Sequence, residues 1–183
     1  MGLIMLSLSI STAAQNNFVN DAEPDSPTSV RDAESWSEQS FTLPAWPREQ
    51  DLVPVRLDNA KGAFNYFLDT RSLHTGTDQV VRYTLVAEST SGARNLSFEG
   101  LRCTARGQYR VYAYGQNRHF EPTRLSEDWH PIDRSGADPI HEELWRTYLC
   151  VPRLFAPRPR ASQLRALRQG RVGDYENSGF LTE

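Results

Sequence analysis

Four histidines, His74, His119, His130 and His141, are the side chains best placed by type to move a proton near neutral pH. They are scattered singly and lack metal-ligand spacing, and an isolated histidine is more often a surface or satisfied polar residue than a ligand or base. Asp128, Trp129 and His130 form the tightest acid, aromatic and base grouping and are able to frame a small site. No serine or cysteine nucleophile accompanies them in a recognisable setting. Glu142 and Glu143 are neighbours on an expected helix, so they diverge by about 100 degrees and do not cooperate as an acid/base pair. The Asn95-Leu96-Ser97 sequon has meaning only in a eukaryotic secretory protein. With no nucleophile elbow, phosphate loop, metal cluster or dinucleotide fingerprint, no residue is assigned a catalytic role, and no metal or cofactor is expected.

The elements around these residues read as an antiparallel meander. Val53 to Leu57 and Phe64 to Leu68 are two short strands separated by the turn cluster Asp58-Asn59-Ala60-Lys61-Gly62. A longer strand follows Asp78, in which Val81, Tyr83, Leu85 and Ala87 share one face while Arg82 and Thr84 point away. In the next strand Leu96 and Phe98 alternate with Asn95, Ser97 and Glu99 until Gly100, where the apolar phase passes to Leu101 and Cys103. That change of phase predicts a β-bulge at Gly100. Tyr109, Val111 and Ala113 then alternate with Arg110, Tyr112 and Tyr114. A lid is predicted from Asp138 to Cys150, with Asp138 as N-cap, Pro139 at the first helical position and an apolar stripe of Ile140, Leu144 and Tyr148 widened by Trp145 and Leu149. The expectation is therefore an α+β fold with one core: a meander sheet of about five strands and one main C-terminal helix on one face.

The opposite face would then present Arg82, Glu99, Arg110, Tyr112 and Tyr114, a guanidinium, carboxylate and phenol set suited to a carboxylated or aromatic ligand or to a partner protein. Cross-strand pairing of Arg82 with Glu99, with tyrosines covering the sheet, is the purely structural account of the same residues.

The ends differ from the middle. Residues 1–14 carry an apolar run from Leu3 to Ile10 followed by small residues and read as a signal peptide, with no Lys or Arg ahead of the run. No later segment approaches the roughly 20 apolar residues that span a bilayer. Residues 15–50 form an acidic, partly disordered tether. Within it Trp36, Phe41, Leu43 and Trp46, flanked by Pro44 and Pro47, suggest an extended segment laid on the domain or offered to a partner's groove. The domain is expected over 51–151, and 152–183 is an arginine-rich tail with a short helix from Ser162 ended by Gly170. That tail is either a solvated stretch balancing the acidic tether or a site for an anionic partner such as a lipid headgroup or acidic protein. A formal charge of −3 argues against general nucleic-acid affinity.

The residues Val81-Arg82-Tyr83, Ser91 to Asn95, Phe98 to Cys103, Tyr112-Ala113-Tyr114-Gly115, Trp129, His141 and the helix ending at Cys150 resemble the CNP-one-like family of bacterial proteins, roughly from Pro54 to Cys150. The resemblance implies exported proteins of proteobacteria and carries over no biochemical activity. Any role of the tail after Cys150 would be private to this chain.

Cys103 lies near a strand end and Cys150 at the end of the lid, so a disulfide is sterically reasonable in an oxidising compartment. Two buried free thiols, or a reactive or metal-binding pair, are the alternatives. The sequence expectation is a periplasmic, non-enzymatic binding module whose partner is an envelope protein or anionic ligand. A small hydrolase-like enzyme using Asp128, His130 or Glu99 is the alternative and requires those side chains to converge in one cleft.

Overall fold

The structure, a computed structural model, describes residues 36–57, 63–123, 128–133, 135 and 138–170. The expected signal peptide, most of the tether and the last residues of the tail lie outside the described residues. Contacts divide the chain into two units, Met1–Trp36 and Ser37–Glu183, and the sheet and helices all belong to the second.

Six strands run as an antiparallel meander in chain order: β1 (Leu52–Val55), β2 (Phe64–Thr75), β3 (Val80–Ser89), β4 (Arg94–Arg102), β5 (Gln108–Gln116) and β6 (His119–Pro122). A short β7 (His130–Pro131) pairs with the start of β5, beside the stretch that pairs with β6. The expected meander is present, with more strands than the five anticipated. Three of its short outer strands contain a proline: Pro54 in β1, Pro122 in β6 and Pro131 in β7.

Helical cover is shared. Helix α1 (Pro139–Glu143) continues into a π-helical turn, Leu144–Leu149, and α2 (Arg160–Gln169) comes after a two-stranded hairpin of β8 (Cys150–Val151) and β9 (Ala156–Pro157). The expected single main helix is thus replaced by short helical pieces. Ile140, Leu144, Trp145, Tyr148 and Leu149 are all buried, so the predicted stripe does face the core. Asp138 precedes Pro139 but makes no side-chain cap; its carboxylate is used elsewhere. Gly170 ends α2 in the left-handed conformation, φ 70°, as a C-terminal glycine does.

Both faces of the sheet are covered, which differs from the single core expected. On one face Val81, Tyr83, Leu85 and Leu101 pack with the helical pieces, including Ala166 and Leu167 of α2. On the other, Val86, Leu96, Phe98, Tyr112, Ala113 and Phe120 form a second apolar cluster against Trp46, Leu52 and Phe67. Residues 37–47 form the cover there: Phe41 lies 5.8 Å from Phe98 and 4.2 Å from Tyr112, and Trp46 lies 5.7 Å from Phe120, between ring centroids. Buried on both sides, β3 loses the alternation expected of it, and Arg82 and Thr84 are as enclosed as Val81 and Tyr83.

The compact body therefore extends past 51–151 at each end. In the arginine-rich stretch Arg158 is buried, and Arg160 donates to the carbonyls of Leu73 and Thr70, both at 3.0 Å, closing an irregular part of β2. These two arginines serve the fold, where the sequence left a solvated stretch or a site for an anionic partner open.

The bulge expected at Gly100 is instead in β5. β4 keeps its register from Arg94 to Arg102 against β3, whereas pairing with β5 slips between Phe98 and Glu99, where Val111 and Ala113 flank the extra Tyr112. Gly100 has a different role, because a Cβ there would stand 2.2 Å from the Tyr112 hydroxyl oxygen. The apparent phase change in β4 arises because each face of that strand meets its own apolar cluster.

Candidate functional site

The bulge in β5 lays the Tyr112 ring over Gly100, with the guanidinium groups of Arg110 and Arg82 5.5 and 5.8 Å from the ring centre. Arg82 is 2% exposed and is aimed by the tight turn between β2 and β3, in which the Gly76 carbonyl accepts the N–H of Gln79 and the Gly76 N–H donates to Val80. Asp78, carried by that turn, takes Arg82 in a two-pronged contact at 3.1 and 2.6 Å. Gly76 leaves the space for this pair, since a Cβ there would fall 2.3 Å from the Asp78 carboxylate. Burial disfavours charge on both partners, but their mutual contact wins: the Asp78 carboxyl is held below its ordinary range and the Arg82 guanidinium above its own.

Glu38 enters this nest from the covering segment. Its carboxylate accepts from Arg110 at 2.9 Å, from Arg82 at 3.4 Å and from the Tyr112 hydroxyl. Burial and then the Glu38 contact push the Tyr112 phenol well up, so it stays a proton donor. The next residue is held by its backbone: Gln39 N–H donates to Asp78 at 2.9 Å, and its carbonyl accepts from Arg82 at 3.2 Å. Phe41 then packs on Tyr112, with the Arg82 guanidinium 5.3 Å from the Phe41 ring centre. Trp129 closes the side, edge-on to Tyr112 at 6.4 Å. Arg82 Nε and Arg110 Nε are enclosed without an acceptor among the described residues.

A second polar group sits under the helices. Both ring nitrogens of His141 face carboxylates, Nδ1 at 2.6 Å from Asp138 and Nε2 at 2.9 Å from Glu99, and the ring stacks on Tyr109 at 3.7 Å. Burial opposes the imidazolium, but the Glu99 and Asp138 carboxylates outweigh it and His141 is pushed up to about 9. With both nitrogens committed to acceptors, the protonated ring is a clamp and has no lone pair to offer a hydroxyl or a metal. Tyr83, wholly enclosed beside Glu99, is pushed up by burial and then by that carboxylate. Among the described residues no group of three or more His, Cys, Asp or Glu side chains is poised to hold a metal ion, and no helix is long and apolar enough to cross a membrane.

The residues singled out as one surface divide between the two faces. Arg82, Arg110 and Tyr112 converge on Glu38, whereas Glu99 pairs with Tyr83, and Tyr114 with Ser97, on the helix side of the sheet. Arg82 and Glu99 are therefore not cross-strand partners: Arg82 stands opposite Gly100 and Glu99 opposite Tyr83, so their side chains leave the sheet on opposite faces. Asp128, His130 and Glu99 do not assemble a cleft through Glu99, which is 3% exposed and engaged by His141 and Ser97. His130 instead sits against Tyr109, 5.9 Å between centroids, and His74 and His119 contact backbone carbonyls near their own strands. Reasoning from sequence missed Glu38 and Asp78 as site residues and gave Asp138 only as an N-cap. The available signal for Glu38 was an acidic residue three positions before Phe41 in an otherwise solvated stretch.

Cys103 and Cys150 stand with sulfurs 1.97 Å apart, a disulfide-distance pair joining the end of β4 to β8. No curated protein and no solved structure matches the chain. A family model does match, over residues 31–168, a span that reaches beyond Pro54 to Cys150 and takes in both the covering segment with Glu38 and the arginines of α2. By that match over most of its length, the chain belongs to the CNP1-like family.

Proposed function

We propose that this protein is a non-enzymatic binding module of the periplasm or cell envelope, and that it captures a carboxylate-bearing partner at the Arg82, Arg110 and Tyr112 nest. The observation that carries the reading is the grip on Glu38: two guanidinium groups and a phenol converge on one carboxylate above the sheet. Charge-assisted contacts of this kind give orientation as well as energy. The cysteine pair at disulfide distance and the apolar N-terminal run support an oxidising, exported setting. The hydrolase-like alternative draws no support from Glu99 and His141, which use up each other's proton-transfer capacity.

Arg110 is the residue to test, because its side chain is 25% exposed and its loss spares the buried Arg82 and Asp78 pair. A photo-crosslinking residue at the exposed Leu43 should give a discrete adduct in the envelope fraction. Arg110→Ala should remove that adduct and leave the fold intact. An adduct indifferent to Arg110, or protein confined to the cytosol with two alkylatable thiols, would count against the reading.

A further inference from the structure

The covering segment does more than neutralise two arginines; it is held as a peptide ligand would be. Three features along it are read in different ways. Glu38 is read by charge, through Arg110 and Tyr112 with Arg82 farther off. Gln39 is read by its main chain, its N–H going to Asp78 and its carbonyl to Arg82. Phe41 is read by shape, packed on Tyr112 and Phe98. The Asp78 and Arg82 pair thus presents one acceptor and one donor to a single residue's main chain, as a strand edge would, but from side chains on a sheet face. Residues 38–47 belong to no strand, so the segment is held by these contacts and not by a backbone ladder.

We infer that the nest is a recognition site for an extended peptide bearing a carboxylate, any residue next, and an aromatic ring three positions after the carboxylate, and that Glu38 to Phe41 is a built-in occupant which such a peptide displaces. The inference rests on the binding-module reading and names its ligand class. Displacement needs no rearrangement of the sheet, since Arg82 is fixed by Asp78 and Tyr112 by its seat over Gly100. A preformed site of this kind loses little conformational freedom on binding.

The test uses the full chain. An acetylated, amidated peptide of residues 37–47 is titrated by calorimetry into wild type and into the Glu38→Ala/Phe41→Ala double variant, whose own segment no longer competes. Binding should be at least about tenfold tighter to the double variant, and a peptide carrying Glu38→Gln should lose about tenfold or more, as expected for a charge-assisted hydrogen bond. Adding Arg110→Ala should abolish the difference between the two peptides. If the double variant fails to fold, Glu38→Gln in the full chain gives the same comparison. A folded variant that binds neither peptide, or binds both equally, overturns the peptide assignment. An Arg110-dependent envelope adduct surviving that result would leave the binding-module reading standing with another ligand class, and loss of both would remove both.

Discussion

The two faces of the sheet each bury an apolar cluster yet treat charge in opposite ways. Under the helices, Asp138, His141 and Glu99 form a closed chain in which each imidazole nitrogen meets a carboxylate, and the cysteine pair tethers the helical end to β4. Under residues 37–47, Arg82 is paired with Asp78, and a further carboxylate, Glu38 of the covering segment, is shared by Arg82 and Arg110. The first arrangement is saturated and fixed by short-range geometry. The second is completed by a segment without regular backbone pairing. A buried ion pair adds little stability over an apolar equivalent but is costly to break from one side. One face is thus built to stay shut, and the other is built around a removable carboxylate.

Substitutions on each face measure how deep that contrast runs. Replacing Cys103 and Cys150 by serine should cost about 4 kcal/mol, the loop-entropy value for a bridge spanning 47 residues, read from denaturant midpoints. The thiols should alkylate only after reduction in the native protein. Next, His141→Ala should cost about 3 kcal/mol, because Glu99 is left buried without its counter-charge. The same group sets a pH signature. Its folded pKa of about 9 lies above the ordinary value of 6.5, so its stabilisation is complete below about pH 6.5 and is lost as pH rises through 9. Thermal scans should show that decline in wild type and a flatter profile in His141→Gln.

On the other face the effects are smaller. Gly100→Ala should cost about 1 to 3 kcal/mol by driving the Tyr112 ring off its seat, and it should raise protease access to residues 37–47. Glu38→Gln should cost only about 1 kcal/mol of global stability. A loss there as large as that of His141→Ala would mean that the two faces are equally fixed. Asp78 has the opposite linkage to His141: its folded pKa is lowered, so its contribution is present above the ordinary carboxylate range and fades as pH falls below it. Acid scans should therefore show the Asp78 and Arg82 pair holding through the ordinary carboxylate range and failing below it.

Periodicity made the meander legible, because Tyr83, Leu85, Leu96 and Phe98 sit in clear alternation and the turns carry glycine. The buried stripe of Ile140, Leu144 and Tyr148 was legible for the same reason. Which face Arg82 and Glu99 occupy was not, since a strand buried on both sides makes polar positions look exposed and Gly100 imitates a bulge. The nest was half legible. Arg82, Arg110 and Tyr112 follow from strand alternation plus one extra residue, but Glu38 lies 44 positions before Arg82 in a stretch whose composition reads as solvated. Long-range partners of that kind leave no local pattern. Arg158 and Arg160 were misread for a related reason: charge composition does not reveal that a carbonyl of β2 is waiting for a donor.

Proline at each of the short outer strands has a consequence for how copies of this protein coexist. Pro54, Pro122 and Pro131 remove backbone donors along both borders of the meander, and β6 and β7 are too short to template a neighbour. Edge-to-edge pairing of one sheet with another copy's is thereby discouraged.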